Sequence, residues 1–211
     1  KYNSPVKSGL FFYMKVSIQG IKGSFHHMVA NEYFKSFELL ECSTFENLVK
    51  SIDKEESDFG VMAIENSIAG SILPNYALID EYNLYITGEH YLNINHNLMC
   101  LAGQKIDEIY EVQSHPMALL QCSKFFNNYP HIKLIESEDT ALFAKKIKDE
   151  EMLGVAAIAS KDASEIYNLE ILNESIQTIK NNKTRFVILE KKKTNDEFNK
   201  AALKFILDHK R

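Results

Sequence analysis

The chain has 211 residues, of which 45% are hydrophobic and 25% are charged, with a formal net charge of -5. This composition is ordinary for a globular protein, and the length suffices for one sizeable domain or two small lobes. The lysines are scattered rather than interleaved with aromatic residues, and no apolar run reaches the ~20 residues of a membrane helix, so we expect neither nucleic acid nor a membrane as partner.

The first 13 residues precede Met14 and the strand-like run "MKVSIQG". Their apolar run "GLFFYM" is too short for the core of a signal peptide and lacks a small-residue cleavage pattern. We therefore interpret residues 1–13 as an upstream or added segment, and we place the start of the folded domain at Met14.

Strand-like and helix-like runs alternate after Met14. Five units combine a strand with a following helix: "KVSIQG" with "SFHHMVANEYFKSF", "FGVMAIE" with "GSILPNYALIDEY", "YEVQ" with "SHPMALLQCSKFFNNY", "IKLIES" with "EDTALFAKKIKDE", and "GVAAIAS" with "KDASEIYNL". This order predicts an α/β fold with mostly parallel sheets. The predicted helix N-caps are Ser24, Ser71, Ser114, Ser137 or Asp139, and Ser160.

Between the second and third units lies the long segment "LYITGEHYLNINHNLMCLAG", which is rich in β-formers and has no helical period. We interpret it as an extended crossover from one sheet to a second. The charged run "EKKKTNDEFNK" near the end of the sequence is typical of a linker.

Polar residues gather at four predicted strand ends, in the loops "GIKGS", "ENSIAGS", "SHP" and "NNKTRF". In open α/β sheets, ligands bind outside the carboxyl ends of strands, beside helix N-termini. Taken singly, the serines are explained as helix caps and Glu65-Asn66-Ser67 as turn chemistry. Four such loops together predict a ligand cleft, in which local positive charge would meet any anionic ligand.

The sequence predicts no metal and no cofactor. "GIKGSF" matches neither the dinucleotide-binding motif nor the P-loop, and no two of the seven histidines are spaced i, i+4. Cys42, Cys100 and Cys122 are odd in number and lack CxxC spacing. They therefore predict free thiols in a reducing compartment, by default the cytoplasm.

Five motifs in order, "GIKGSF", "GVMAIENSIAGS", "SHPMALLQC", "AAIAS...IYNLEIL" and "NNKTRF", resemble the catalytic domain of the prephenate dehydratase family over about residues 15–190. The resemblance implies a two-lobed fold similar to type II periplasmic binding proteins, with the active site in the interlobe cleft. It implies conversion of prephenate to phenylpyruvate, carbon dioxide and water. Within a catalytic domain of residues 14–190, it places lobe one at about 14–82 and 178–190 and lobe two at about 83–177.

The resemblance marks Thr184 as the catalytic residue. We expect its hydroxyl to hydrogen-bond the departing ring hydroxyl, with a proton relayed from water. Arg185, if it enters the cleft, is expected to grip the pyruvyl carboxylate. The other residues expected to bind the substrate are Phe186, Glu65, Asn66, Ser67, Ser24, Ser114 and Asn182.

Three positions depart from the family pattern. Ser24 stands where the family often has threonine, and His26 stands where serine is usual. Thr178 occupies a position that is commonly acidic. Ser24 keeps the hydroxyl, whereas the contributions of His26 and Thr178 are left open.

The run "NKAALKFILDHKR" resembles the first strand of the phenylalanine-sensing ACT domain that often follows this catalytic domain. Leu203, Phe205 and Leu207 alternate as in a strand, and one strand alone cannot bury a face. We interpret residues 191–211 as a linker and a truncated ACT domain, and we expect no inhibition of this chain by phenylalanine. The resemblance implies a homodimer or homotetramer for the full-length protein, with phenylalanine as its effector.

Two other functions remain open. Arogenate carries an amine where prephenate has a keto group, and one contact could set the preference between them. The cleft could also bind a small anion without chemistry, as solute-binding proteins do. Thr184 within "NKTRF" favours the enzyme.

Overall fold

The computed structural model describes residues 14–137, 139–193 and Lys200. In chain order its elements are β1 (Lys15–Gln19), α1 (Phe25–Tyr33), β2 (Glu38–Cys42), α2 (Phe45–Asp53), β3 (Phe59–Asn66), β4 (Gly70–Ser71), α3 (Leu73–Glu81), β5 (Tyr85–Asn93), β6 (Asn97–Cys100), a 3₁₀ turn (Ile106–Glu108), β7 (Glu111–Ser114), α4 (Pro116–Phe126), β8 (Lys133–Glu136), α5 (Thr140–Asp149), β9 (Val155–Ala159), α6 (Lys161–Tyr167), β10 (Glu170–Asn173) and β11 (Lys183–Glu190).

The first sheet has six strands in the order β2-β1-β3-β11-β5, with β4 paired to β3. β1 runs parallel to β2 and β3, whereas β11 runs antiparallel to β3 and β5. Helix α1 covers one face of this sheet, and α2 and α3 cover the other. Because both faces are buried, β3 reads as the continuous apolar run "VMAI" instead of an alternating pattern.

The second sheet has five strands in the order β10-β6-β9-β7-β8. β7 is parallel to β8 and β9, whereas β6 is antiparallel to β9 and β10. Helix α4 covers one face, and α5 and α6 cover the other. The expected α/β fold of two lobes is confirmed, with one sheet in each lobe. Both sheets are mixed, so the expectation of mostly parallel sheets is wrong.

The chain crosses between the lobes at residues 94–96 and returns at residues 174–182. The two crossings lie side by side, since Ile94 N donates to Asn182 O at 2.8 Å and Ile176 N donates to His96 O at 2.8 Å. The sequence predicts that lobe two begins at about residue 83. Strand pairing moves that boundary, because β5 pairs with β11 along its length and belongs to the first lobe.

A sixth strand-and-helix unit, β2 with α2, is absent from the five predicted units. Thr44 caps α2, and its Oγ1 accepts from Asn47 N at 3.1 Å. The buried face of α2 is Leu48, Val49, Ser51 and Ile52. This unit matters for function because it brings a further helix N-terminus to the carboxyl end of the first sheet.

Three of the predicted N-caps are confirmed by side-chain hydrogen bonds. Ser24 Oγ accepts from His27 N, Asp139 Oδ1 accepts from the α5 amides, and Ser160 Oγ accepts from Ala163 N. Ser71 does not cap α3, which begins after Ile72 with no side-chain cap. Each confirmed cap lies at the carboxyl end of a strand, so the caps also mark the rim of the cleft.

No helix in the described part of the chain is both long enough and apolar enough to span a membrane. The interpretation of residues 1–13 and the ACT-like alternation at Leu203, Phe205 and Leu207 lie outside the described residues.

Candidate active site

A cavity of about 440 Å³ lies between the two lobes, at the carboxyl ends of the strands. The first residues of four helices line it: Ser24 to His26 at α1, Thr44 at α2, His115 at α4, and Asp139 at α5. Phe25, Phe45, Ile72, Ile94 and Phe186 add an apolar wall. The cavity can therefore surround an apolar ring while presenting helix N-termini to polar substituents.

The charge of this cavity differs from the expectation. None of the described residues that line it is a lysine or arginine, and Asp139 is the one carboxyl among them. The N-termini of α1, α2, α4 and α5 carry the available positive potential, since unpaired backbone N–H groups concentrate there. An anionic ligand would be met by backbone dipoles and neutral donors rather than by cationic side chains.

Thr184 lies in a hydrogen-bonded cluster with two asparagines. Asn66 Nδ2 donates to Thr184 Oγ1 at 2.8 Å and to Asn182 Oδ1 at 2.7 Å. Asn66 Oδ1 accepts from Ile68 N at 2.9 Å and Ala69 N at 3.0 Å, which fixes the orientation of the amide. Because Thr184 Oγ1 receives a hydrogen bond from Asn66, its own O–H remains available to donate into the cavity.

Strand alternation separates Arg185 from its two neighbours in "TRF". Thr184 and Phe186 line the cavity, whereas Arg185 projects from the opposite face of β11. Arg185 Nη2 lies 2.9 Å from Glu89 Oε2, and Arg185 Nη1 lies 3.8 Å from Glu65 Oε2. Its guanidinium also lies 6.0 Å from the Tyr91 ring centroid. Neither Arg185 nor Glu65 lines the cavity, so this arrangement does not support the expected grip on a substrate carboxylate.

We expect Arg185→Ala to lower the free energy of unfolding by about 1–2 kcal/mol and to leave the KM for substrate unchanged, because the lost partners are Glu89 and Tyr91. Urea unfolding and steady-state kinetics measure the two effects. Arg185→Lys is the matched control that keeps the charge. A raised KM in an Arg185→Ala variant of unchanged stability would show that Arg185 contributes to substrate binding.

The three predicted serines have different positions. Ser24 lines the cavity and caps α1. Ser114 is fully buried, donates to Ile158 O at 2.7 Å, and does not line the cavity; α4 is capped instead by His115, whose Nδ1 accepts from Met117 N. Ser67 accepts from Lys183 N at 2.9 Å and also lies outside the lining. Ser67 therefore joins the ends of β3 and β11 that carry the cluster, whereas Ser114 ties the end of β7 to β9.

Sequence reasoning missed Gln121, which extends the cluster into the second lobe. Its Oε1 accepts from Asn182 Nδ2 at 2.9 Å and pairs with His96 Nε2 at 3.0 Å. A signal was present in "SHPMALLQC", because Met117, Ala118 and Gln121 share one face of α4 and all line the cavity.

His26 and Thr178, the two departures from the family pattern whose contributions were left open, lie in different places. His26 lines the cavity, whereas Thr178 lies outside its lining and donates its backbone N–H to Gln121 O.

Two cavity histidines are neutral. Burial lowers the pKa of His26 and of His96 to about 4. His26 Nε2 accepts from Ala63 N at 3.3 Å, and its ring contacts Phe45 and Phe186 edge-on. His96 Nε2 faces the Gln121 oxygen and is therefore its protonated nitrogen. Neither ring supplies a positive charge at neutral pH.

We expect His96 to make folding stability depend on pH. Its pKa is about 4 when folded and about 6.5 when unfolded, so the unfolded state binds a proton first as pH falls. The stabilisation is fully present above about pH 6.5 and is lost toward pH 4, by up to about 3 kcal/mol. Urea unfolding of wild type and His96→Gln across this pH range measures the effect. If the free energy of unfolding changed equally with pH in both proteins, the prediction would be contradicted.

The lobes also meet at the loop before α1. Ser160 Oγ donates to Gly23 O at 2.5 Å, and Tyr167 Oη donates to Lys22 O at 2.6 Å. Gly23 has φ +85°, and a Cβ there would lie 3.0 Å from Ala163 Cα, so glycine is required for this approach. These contacts hold the N-terminus of α6 against the first lobe and close one side of the cleft.

The described residues contain no group of three or more metal-ligating side chains. The family model for prephenate dehydratase matches residues 16–194. The chain belongs to the prephenate dehydratase family. The matched segment includes strands of both sheets, both crossings and every residue of the Thr184 cluster.

Named relatives of this family resemble the chain over most of its length. A bifunctional chorismate mutase/prephenate dehydratase of Buchnera aphidicola is 38% identical over 83% of this chain and 46% of its own. An arogenate dehydratase/prephenate dehydratase of Arabidopsis thaliana is 40% identical over 83% and 45%. The solved prephenate dehydratase of Staphylococcus aureus superposes with a TM-score of 0.73 at 25% identity, covering 87% of this chain and 69% of that one. The chain spans about half the length of the curated relatives it matches.

Proposed function

We propose that this chain is a prephenate dehydratase, a carbon–oxygen lyase of phenylalanine biosynthesis that converts prephenate to phenylpyruvate, carbon dioxide and water. The observation that carries the proposal is the Thr184 hydroxyl in the cavity, oriented by Asn66 at 2.8 Å so that its proton is available to a ligand. Family membership over residues 16–194 supports the same reaction.

The proposed reaction requires a hydrogen-bond donor at the oxygen of the departing ring hydroxyl. Loss of the ring hydroxyl leaves developing negative charge on that oxygen, and aromatisation of the ring drives its departure. Thr184 accepts a hydrogen bond from Asn66 and donates its own hydrogen bond to this oxygen as the C–O bond breaks. The Asn182–Gln121 hydrogen bond also ties the cluster to α4 of the second lobe, which helps to hold the donor in place.

The cavity also suits loss of carbon dioxide. A carboxylate held by a tight ion pair is stabilised in the ground state, which opposes decarboxylation. The described cavity lining offers helix N-termini and no cationic side chain. Both substrate carboxylates would therefore be bound by backbone N–H groups and neutral donors such as Ser24, and the ring would pack against Phe45 and Phe186.

The test is to incubate the purified chain with prephenate at neutral pH and to follow phenylpyruvate formation. We expect saturable turnover. Saturable binding of prephenate without product would favour the solute-binding alternative, and the absence of both would overturn the proposal.

Arogenate is the second candidate substrate, favoured by the Arabidopsis relative whose name includes both activities. The described cavity lining holds no lysine or arginine that would repel the ammonium of arogenate, and the keto group of prephenate has no charge. Parallel assays with both compounds decide the preference through the ratio of their kcat/KM values.

For the full-length protein we propose a homodimer or homotetramer in the cytoplasm, with phenylalanine as effector of an ACT domain. The family resemblance supports the assembly and the effector, and three free, buried cysteines support a reducing compartment. Size-exclusion chromatography and activity assays with and without phenylalanine test the two points separately.

A further inference from the structure

The proposed reaction consumes a proton. Prephenate enters as a dianion and leaves as the phenylpyruvate monoanion, carbon dioxide and water, so one proton must reach the departing hydroxyl in each turnover. Thr184 can donate a hydrogen bond or relay a proton, but its hydroxyl is too weak an acid to be the net source. If the proposed function holds, a group of this cavity must therefore supply that proton.

Four titratable side chains line the described cavity: His26, His96, His115 and Asp139. His26 and His96 are neutral above about pH 4, and each uses one ring nitrogen in a hydrogen bond within the protein. His115 Nδ1 accepts from Met117 N and is committed to capping α4. Asp139 is the candidate that these constraints leave.

The two carboxyl oxygens of Asp139 lie in different environments. Oδ1 accepts both cap bonds of α5, from Ala141 N at 2.7 Å and Leu142 N at 3.0 Å. Oδ2 lies across the cleft against Gly20, where an added Cβ would be only 2.8 Å away. One oxygen thus fixes the carboxyl group, and the other is turned to the junction of the two lobes.

The surroundings of Asp139 shift its ionisation toward the protonated form, compared with an exposed aspartate. Burial raises the pKa of the Asp139 carboxyl, the α5 amides and His115 oppose that shift, and Glu41 adds to it. Tyr167 on α6 is the other titratable group that interacts with Asp139. A bound dianion would disfavour the carboxylate further, because like charges close together cannot both ionise readily.

We propose that Asp139 is the general acid of the reaction. As the ring C–O bond breaks, its electron pair goes to the departing oxygen, which takes the proton from Asp139 Oδ2 and leaves as water. The bond to the ring carboxylate breaks in the same process, and its electron pair completes the aromatic ring. Asp139 is left as a carboxylate and is reprotonated from solvent before the next turnover.

The first test is Asp139→Asn, which keeps an oxygen to cap α5 but holds no acidic proton. We expect kcat to fall by about 10²–10⁴-fold with the thermal unfolding midpoint retained. Wild-type kcat should decline as pH rises, because the active form is protonated, and Asp139→Asn should lose that dependence. Asp162→Asn is the matched control: burial also raises the pKa of Asp162, but it lies outside the cavity lining. Unchanged kcat in Asp139→Asn would overturn the proposal.

The second test needs no turnover. Calorimetry of phenylpyruvate binding, in buffers of different ionisation enthalpy, measures the protons taken up on binding. The measurement is made above the pH at which wild-type kcat has declined, where Asp139 is ionised in the free protein. There we expect uptake of about one proton in wild type and in Asp162→Asn, and none in Asp139→Asn. Equal uptake in all three proteins would exclude Asp139 even if prephenate is turned over. Asp139-dependent uptake without turnover of prephenate would instead keep the proton site and reject the proposed reaction.

Discussion

Replacing Thr184 with alanine is expected to lower kcat by about 10²–10⁴-fold while leaving the fold intact. Thr184 Oγ1 accepts from Asn66 and has its own proton free for the leaving oxygen, and alanine removes that donor. If Thr184 served only the local structure, the change would cost about 0.5–2 kcal/mol of stability and little rate. Phenylpyruvate formation and urea unfolding, measured on the same sample, separate the two roles.

Two further substitutions sharpen this prediction. Thr184→Ser keeps the hydroxyl and should retain much of the activity. Thr184→Val keeps the β-branched shape on β11 but not the hydroxyl, so it should be as inactive as Thr184→Ala. A folded and fully active Thr184→Val would remove the residue from the reaction.

The second large effect is expected for Asn66→Asp, with kcat lowered by about 10²–10³-fold. Asn66 Nδ2 donates to Thr184 Oγ1 and Asn182 Oδ1. A carboxylate of the same shape can only accept, so the Thr184 proton would turn toward it and away from the ligand. The new charge would also lie beside a bound dianion and weaken its binding.

Asn66→Ala is the comparison that separates these effects. Alanine removes the donor without adding a charge or a competing acceptor, so its KM should rise less than that of Asn66→Asp. Steady-state kinetics on both variants, with circular dichroism to verify folding, provide the measurement. An Asn66→Asp variant as active as Asn66→Ala would show that the direction of the Asn66–Thr184 hydrogen bond is unimportant.

The local part of the fold was predictable from the sequence, and the non-local part was not. N-caps such as Ser24 and Ser160 follow from local chemistry, and the structure confirms them. The sequence predicts a crossover where the structure has β5, because its partner β11 comes about a hundred residues later in the chain and no local pattern indicates that pairing. The lobe boundary moved for the same reason.

For the site, period-two alternation in β11 already separates Thr184 from Arg185, and that rule could have been applied to "TRF" from the sequence. Asp139, His96 and Gln121 could not be grouped in this way. They come from the start of α5, the first crossing and the middle of α4, and only the packing of the two lobes brings them to one cavity.

The two side-by-side crossings make the middle of the molecule a pivot. Thr184, Asn66 and Asn182 lie next to it, since Ile94 N donates to Asn182 O and Ser67 N donates to Lys183 O. A rotation of one lobe against the other displaces atoms in proportion to their distance from the pivot, so the Thr184 cluster would hardly move. The far side of the cleft, where Ser160 meets Gly23, would travel furthest. If substrate enters and product leaves by such a rotation, the reacting hydroxyl keeps its hydrogen-bond partners throughout the cycle.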